Sequence, residues 1–210
     1  MPIFNAVLVD IDGDGWLDLF LTTYQEGLHI LPNRNGRFDP VSLRPVHNRE
    51  DAILAMAVSF GDVDRDGDLD LALGNWAAGW YRRIPGEESR NRIVFNDDGA
   101  LSGDSFADLP GIPGETLSIL LSDIDNNGTQ DLLVGNDFEV PDYFYLGDGA
   151  GGFAAIAHQD GRIPMTTTTT MSVSAADLTN NGESEIYLAQ IAGRASGISN
   201  RLRMQPIEQY

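Results

Sequence analysis

The sequence predicts an all-β fold built from four copies of one unit, and three observations support this prediction. An acidic nine-residue segment recurs, short apolar runs flank every copy, and no window of about 11 residues keeps a helical apolar period without a Gly interruption. The copies are DIDGDGWLD at 10–18, DVDRDGDLD at 62–70, DIDNNGTQD at 123–131 and DLTNNGESE at 177–185. Their starts lie 52, 61 and 54 residues apart, which is typical of a repeated supersecondary unit.

The apolar runs around each acidic segment have the composition of short strands. NAVLV, AMAVSFG, LSILLS and MSVSAA precede the four segments, and LDLFL, LDLAL, QDLLV and SEIYL overlap their ends. These runs are rich in Leu, Val and Ile and are bounded by Gly, Asn and Asp rather than by helix caps. A third run follows (LHIL, NRIVF, DYFYL and NRLRM), and in three repeats a Gly-containing turn then leads to a fourth strand starting at Phe38, Phe106 or Phe153. Four strands per repeat predict the blade of a β-propeller.

The predicted architecture is a single β-propeller domain over 1–210, with four blades at about 1–50, 51–112, 113–165 and 166–210. We expect the first strand to begin at Ile3, and the β-branched run 166–170 to form or lead into the first strand of the fourth blade. The fourth blade, ending at 206–210, lacks the Gly-x-Phe turn of its siblings, so closure of four blades on themselves is disfavoured. A fragment of a longer propeller and an association of two chains are the preferred alternatives.

Each acidic segment, called loop 1 to loop 4 in chain order, places oxygen-bearing side chains at positions 1, 3, 5 and 9. Glycine at position 6 allows a sharp backbone turn that brings the position-7 carbonyl to the same point. All-oxygen ligation in a flexible loop selects a hard cation, and Ca²⁺ tolerates looser geometry than Mg²⁺. The predicted calcium ligands are Asp10, Asp12, Asp14, the Trp16 carbonyl and Asp18; Asp62, Asp64, Asp66, the Asp68 carbonyl and Asp70; Asp123, Asp125, Asn127, the Thr129 carbonyl and Asp131; and Asp177, Thr179, Asn181, the Glu183 carbonyl and Glu185.

Loop 4 is the most divergent copy. Thr179 stands at position 3, so only Asp177 and Glu185 are charged among its predicted side-chain ligands. We therefore expect three calcium sites. For loop 4 two alternatives stay open, a weak fourth calcium site and a metal-free turn held by residues 180–182. An EF-hand is excluded for all four loops, because position 12 is apolar where that motif needs a bidentate Glu. The position-12 residues are Leu21, Leu73, Val134 and Leu188.

The chain is strongly acidic, with 13 Lys and Arg against 32 Asp and Glu and a formal net charge of −19. This charge argues against a nucleic-acid partner and against docking on anionic lipid. The longest apolar run, 52–58, is far too short for direct membrane insertion. Because the chain has no cysteine, disulfides, thiolate metal sites and cysteine nucleophiles are excluded.

At these acidic loops and their flanks the chain resembles the FG-GAP or VCBS-type repeats of integrin α-subunit propellers and of many bacterial surface and secreted proteins. The segments GNDFEVPDYFYLGDGAGGF and NRIVFNDDGALSGDSF are similar to the subgroup in which such repeats precede an ASPIC/UnbV module. The resemblance implies a blade whose calcium loop joins its first and second strands, with the ion fixing the loop rather than doing chemistry. It implies no activity, because such repeats occur in adhesion receptors, in polysaccharide lyases and in proteins of no assigned role.

The sequence singles out no catalytic residue. His29, His47 and His158 fall in different repeats without a shared motif, which favours structural or solvated roles. Propeller lyases with similar loops use basic and aromatic side chains on one face of the ring, and Tyr24, His29 and Arg34 are candidates of that type.

A second candidate feature is the segment NWAAGWYRRIPGEESRNR, which combines aromatic residues with arginines. Protein and glycan interfaces prefer this combination. The alternative is that one Trp packs between blades while the arginines offset nearby carboxylates. The residues concerned are Trp76, Trp80, Tyr81, Arg82, Arg83, Arg90 and Arg92.

Together these features predict a calcium-stabilised scaffold that binds a protein or a carbohydrate. An extracellular or periplasmic location is expected, because loops with four or five protein ligands suit millimolar calcium. The alternatives are a polysaccharide lyase or hydrolase and a structural subunit of a larger assembly, and the enzyme is the less favoured class. The expected partners are a protein or a glycan, with a second copy of the chain or neighbouring blades at the open edges.

Overall fold

The fold consists of four antiparallel β-sheets that follow one another along the chain. A computed structural model describes residues 1–47, 54–76, 86–138, 140–157, 161, 163 and 169–191. Two 3₁₀ helices, Pro40–Ser42 and Glu87–Ser89, are the only helices in these ranges. The all-β prediction is therefore confirmed.

Three sheets have four strands and the fourth has two described strands, and strand order within each sheet follows chain order. Sheet 1 contains β1 (Ile3–Val9), β2 (Asp18–Thr23), β3 (Leu28–Leu31) and β4 (Arg44–His47). Sheet 2 contains β5 (Ala55–Gly61), β6 (Asp70–Asn75), β7 (Arg92–Val94) and β8 (Phe106–Asp108). Sheet 3 contains β9 (Glu115–Ser122), β10 (Asp131–Asp137), β11 (Tyr143–Gly147) and β12 (Phe153–Ala155). Sheet 4 contains β13 (Thr170–Ala176) and β14 (Glu185–Gln190).

The predicted strand starts at Ile3, Phe106 and Phe153 are confirmed. The predicted start at Phe38 is wrong, because β4 begins at Arg44 and Phe38 makes only an isolated bridge to Asn33. The intervening 3₁₀ helix explains the difference: the Asp39 side chain accepts a hydrogen bond from the Val41 amide, and proline at the next position has no amide to donate to a strand. The run 166–168 and the predicted strand NRLRM lie outside the described residues.

The second strand of each inner sheet is buried along its whole length, as β6 illustrates. Successive side chains of a strand point to opposite faces of the sheet. Leu71 and Leu73 therefore join the core between sheets 1 and 2, whereas Ala72 joins the core between sheets 2 and 3. Each inner sheet is thus packed between the preceding and the following sheet of the chain.

The residue at position 2 of loops 1, 2 and 3 belongs to these inter-sheet cores. Ile11 is buried between sheets 1 and 2, Val63 between sheets 2 and 3, and Ile124 packs against the core between sheets 3 and 4. The corresponding Leu178 is 74% exposed, because no described sheet follows β14. The loops therefore lie where consecutive sheets meet.

Glycines in the second strands allow the next sheet to approach closely. A Cβ atom on Gly74 would lie 2.8 Å from Cγ2 of Thr116, and one on Gly135 would lie 2.7 Å from Cγ2 of Thr170. Both threonines stand near the start of the following sheet's first strand. The same Gly–Thr contact thus recurs at two successive sheet interfaces.

Candidate metal centres

The four acidic loops have left-handed residues at the same two positions, and each loop joins the first strand of its sheet to the second. The glycine at position 6 has positive φ in every loop, from 82° at Gly128 to 101° at Gly67. This confirms the turn predicted from the glycine. Position 4 is also left-handed in all four loops, which sequence reasoning missed, although Gly and Asn at three of these positions were a usable signal. The residues at position 4 are Gly13, Arg65, Asn126 and Asn180.

Hydrogen bonds within each loop close the turn. The side chain at position 5 accepts a hydrogen bond from the position-7 amide in all four copies, as in the 2.9 Å bond from Trp16 N to Asp14 Oδ1. The position-1 carboxylate accepts from the glycine amide in loops 1, 3 and 4, at 2.8–2.9 Å. These Asx-type bonds hold the acidic side chains on the inner side of the loop.

The position-9 aspartate of loops 1, 2 and 3 is buried and accepts hydrogen bonds from two separate segments of its sheet. Asp70 Oδ2 accepts from the Val63 amide at 3.0 Å, and its Oδ1 accepts from the Asn96 amide at 2.9 Å, just after β7. Asp18 and Asp131 make the same pair of bonds, to position 2 of their loop and to the end of the third strand. Position 9 therefore ties each loop to the third strand of its own sheet, a role that sequence reasoning missed because the partner amides are 15 to 26 residues away.

In three loops the structure brings three of the predicted carboxylate ligands together. In each of these loops, three carboxylates have ligand atoms within 4.8 Å of one another. The groups are Asp10, Asp12 and Asp14; Asp62, Asp64 and Asp70; and Asp123, Asp125 and Asp131. Asp18 and Asp66 are outside these groups, and within the described ranges loop 4 forms no such group. Coordination by the position-7 carbonyls stays a prediction.

Several of these carboxylate oxygens are buried without a hydrogen-bond partner. Among the described side chains, the Oδ1 atoms of Asp10, Asp12 and Asp62 are in this state. A buried, unpaired carboxylate oxygen is costly unless a cation or donor reaches it. These atoms are where a bound cation would be stabilised most.

The pKa values of the clustered aspartates are displaced upward. Burial raises the pKa of Asp70 to about 6, and the loop carboxylates Asp64 and Asp66 add to the increase. Burial is also the main reason that the pKa values of Asp18, Asp64 and Asp131 are raised, with neighbouring carboxylates again contributing. The ionised loops are therefore under charge repulsion when no cation is bound.

We expect the metal-free protein to lose stability relative to its Asp70→Asn variant as the pH rises from about 4 to about 7. A folded-state pKa of about 6, above the unfolded value, means that the folded protein holds the extra proton in this range. The stability from that proton is complete below pH ~4 and is lost through pH ~6, by about 1–3 kcal/mol. Urea denaturation in EGTA at several pH values measures this difference, and parallel pH profiles for the two proteins would contradict it.

Loop 4 is held by its own hydrogen bonds. Asp177 is exposed, and the amides of Gly182 and Asn181 lower its pKa by donating to its carboxylate. The Thr179 hydroxyl donates to Glu185 Oε1 at 3.1 Å. The second charged ligand predicted for loop 4, Glu185, is therefore also hydrogen-bonded within the turn. A weak calcium site and a metal-free turn both stay predictions for loop 4.

The described part of the aromatic and arginine segment has structural contacts. Trp76 packs edge-on against Phe138, with ring centroids 5.9 Å apart. Arg90 pairs with Glu87 and donates to the carbonyls of Leu109 and Gly111, while Arg92 is buried beside Asp108 at 3.0 Å. Trp80, Tyr81, Arg82 and Arg83 lie outside the described residues.

The candidate catalytic side chains are not gathered in one place. Tyr24 follows β2 at the end where its amide donates to the Pro2 carbonyl, whereas Arg34 contacts loop 1 at the opposite end of sheet 1. His29 lies in β3 between these ends, and burial lowers its pKa. The side chain of His47 and the whole of His158 lie outside the described residues.

Comparison with known proteins agrees with the loop pattern. The sequence model of the FG-GAP-like repeat matches residues 10–73 and 123–188, more than half of the chain. The first matched segment spans loops 1 and 2, and the second spans loops 3 and 4. Among curated proteins, none matches the chain significantly.

Within the described ranges, no helix is long and apolar enough to cross a bilayer.

Proposed function

The chain belongs to the FG-GAP-like repeat family, and from this premise we propose that it is a calcium-stabilised β-propeller that serves as an interaction scaffold. The observation that carries the calcium proposal is the grouping of three carboxylates, with ligand atoms within 4.8 Å, in three successive loops. The scaffold proposal is supported by where these sites lie. They are in the connections between strands and do not surround a reactive side chain.

The donor set fits calcium. Carboxylate and amide oxygens at positions 1, 3, 5 and 9 are the ligands that Ca²⁺ prefers, and their number suits its high coordination. The buried, unpaired Oδ1 atoms of Asp10, Asp12 and Asp62 are acceptors that a cation would satisfy. We propose that these ions are held in loops 1 to 3 by the side-chain ligands that were predicted from the sequence. When bound, the ion supplies positive charge that offsets the repulsion between the loop carboxylates.

Calcium bound in a loop would also strengthen sheet packing. Ile11 and Val63 follow position 1 of their loops directly and are buried in inter-sheet cores. Fixing the loop fixes the backbone that presents these side chains. The proposed role of the ion is therefore to couple loop order to the contact between consecutive sheets.

The first test is a calcium titration of the metal-free protein by isothermal calorimetry. We expect three sites with dissociation constants of about 10⁻⁴–10⁻³ M, the range of extracellular calcium modules. The double variant Asp62→Asn, Asp64→Asn removes two charged ligands of loop 2 and should leave two sites.

Asp104→Asn is the matched control, because it removes the charge of an exposed aspartate outside the loops. It should keep three sites. Absence of calcium binding, or three sites of unchanged affinity in the loop-2 variant, would overturn the calcium proposal.

Two features support the propeller proposal. The first strands of consecutive sheets lie beside one another, β1 near β5, β5 near β9 and β9 near β13. Hydrogen bonds join these strands, from Leu121 N to Ser59 Oγ and from Val173 N to Ser118 Oγ, both at 3.0 Å. First strands arranged side by side around an axis are a feature of propeller blades.

The proposed partner of the scaffold is a protein or a glycan, and the proposed location is extracellular or periplasmic, where calcium is abundant. Glycan-array binding without turnover would support the scaffold. Release of unsaturated products from a polysaccharide, followed by ultraviolet absorbance, would instead establish a lyase. The separation of Tyr24 from Arg34 favours the scaffold, because these candidates do not face one substrate.

A second candidate function is that of a subunit in a larger assembly, and the exposed outer sheets favour it. Leu8 in sheet 1 is 56% exposed and Tyr187 in sheet 4 is 67% exposed. The equivalent residues of inner sheets, Leu121 and Ala72, are buried against a neighbouring sheet. Sedimentation at increasing protein concentration tests this candidate, since association would raise the measured mass.

A further inference from the structure

Arg34 places a positive charge on the acidic side chains of loop 1, whereas the arginine that reaches loop 3, Arg65, donates from Nη2 to the backbone carbonyl of Gly128 at 2.6 Å. Nη1 of Arg34 lies 2.8 Å from Oδ2 of Asp12 and 3.4 Å from Oδ2 of Asp14. These aspartates occupy positions 3 and 5 of loop 1 and are proposed calcium ligands. Arg34 comes from the turn after β3, so the charge is supplied by the same sheet.

The equivalent positions in sheets 2 and 3 carry the opposite charge. Asn33, Asn96 and Gly147 are equivalent, because the amide of each donates to Oδ1 of the position-9 aspartate. The residues that follow them are Arg34, Asp97 and Asp148. The turn beside loop 1 is therefore positive where the turns beside loops 2 and 3 are negative.

Arg34 leaves the inner oxygen of Asp12 available. The guanidinium binds Oδ2, whereas Oδ1 of Asp12 is buried and accepts no hydrogen bond. A cation in loop 1 and Arg34 can thus share Asp12 through its two oxygens. The ion would then lie within a few ångströms of a permanent positive charge, since an arginine side chain stays protonated in proteins.

We propose that Arg34 is a built-in counter-ion that lowers the calcium affinity of loop 1, an inference that rests on the calcium binding proposed above. Repulsion between Arg34 and a divalent ion weakens binding by about tenfold at water-like screening and low salt. The opposing benefit, that Arg34 holds Asp12 in place, is smaller. An ion pair with an exposed arginine, here 63% exposed, contributes at most about fivefold.

Loop 1 therefore fills at a higher calcium concentration than it would without the Arg34 charge on its carboxylates.

Trp16 makes loop 1 separately observable. It stands at position 7 of this loop and is 43% exposed. Terbium, a luminescent ion that takes calcium-type oxygen sites, emits when a nearby tryptophan is excited, and calcium displaces it. Luminescence that disappears in Trp16→Phe reports loop 1 alone, and its loss on adding calcium measures the calcium affinity of that loop.

The test compares the full chain with Arg34→Gln, Arg34→Lys and Arg37→Gln in low salt. We expect Arg34→Gln to bind calcium in loop 1 about two- to tenfold more tightly, because it loses both the repulsion and the smaller ordering benefit. Arg34→Lys keeps the charge and should bind within about threefold of the parent protein. Arg37→Gln removes the same charge from an exposed arginine three residues away and should raise affinity by less than Arg34→Gln does, because repulsion falls with distance.

Unchanged or weaker calcium binding by loop 1 in Arg34→Gln, with a melting curve in EGTA like that of the parent, would overturn the inference. Equal gains in Arg34→Gln and Arg37→Gln would also overturn it, because net charge would then explain the effect. If the parent protein binds no calcium in any loop, the proposed function itself fails. The calorimetric titration distinguishes that result from failure of the Arg34 inference.

Discussion

Chelation of calcium with EGTA should lower the melting temperature of this protein by at least about 8 °C. With 10 mM calcium and the dissociation constants of about 10⁻⁴–10⁻³ M expected above, a ligand that binds only the folded state adds about 1.4–2.7 kcal/mol per site. Three such sites would add about 4–8 kcal/mol, and each kcal/mol shifts Tm by about 2–4 °C in a chain of this size. The effect is expected to be large because the ions would relieve repulsion in loops that also present core residues.

Differential scanning calorimetry with 10 mM calcium and with EGTA measures this shift. Magnesium at the same concentration is the control, and it should restore only part of the stability because it demands a stricter octahedron. Superimposable melting curves with and without calcium would refute a structural role for the ion.

Phe20→Ala should destabilise the protein by about 3–5 kcal/mol, a fall in Tm of about 6–20 °C. The Phe20 side chain is fully buried in the core between sheets 1 and 2. Its ring packs edge-on against Phe60 with centroids 5.2 Å apart. Truncation removes the apolar contact and leaves a cavity that a sheet-to-sheet interface closes poorly.

Tyr187→Ala provides a matched control for Phe20→Ala. Both residues stand two positions after the position-9 acid of their loop, on the face that points toward the next sheet. Tyr187 is 67% exposed, so its loss should cost less than about 1 kcal/mol. Chemical denaturation in calcium measures both variants. Equal losses would show that the outer face of sheet 4 is covered in solution, which would favour the assembly candidate.

Features that depend on neighbouring residues were predictable from the amino-acid order. The spacing of the acidic segments located the four loops, and the glycine at position 6 predicted a turn because few other residues accept positive φ. The apolar runs LDLFL, LDLAL and QDLLV predicted β2, β6 and β10, because strand composition is also a property of neighbouring residues. The error at Phe38 also has a local cause, since Asp39 and Pro40 favour a 3₁₀ turn over a strand.

Features that depend on residues far apart in the chain needed the folded structure. The sequence shows that Asp70 is acidic but not that both its oxygens accept amides of the loop and the third strand. It shows that Arg34 is basic but not that its guanidinium lies on Asp12. Nor does the repeat pattern show which face of a strand meets which sheet. These choices follow from packing one sheet against the next, because burial and charge pairing are decided by neighbours in space rather than in sequence.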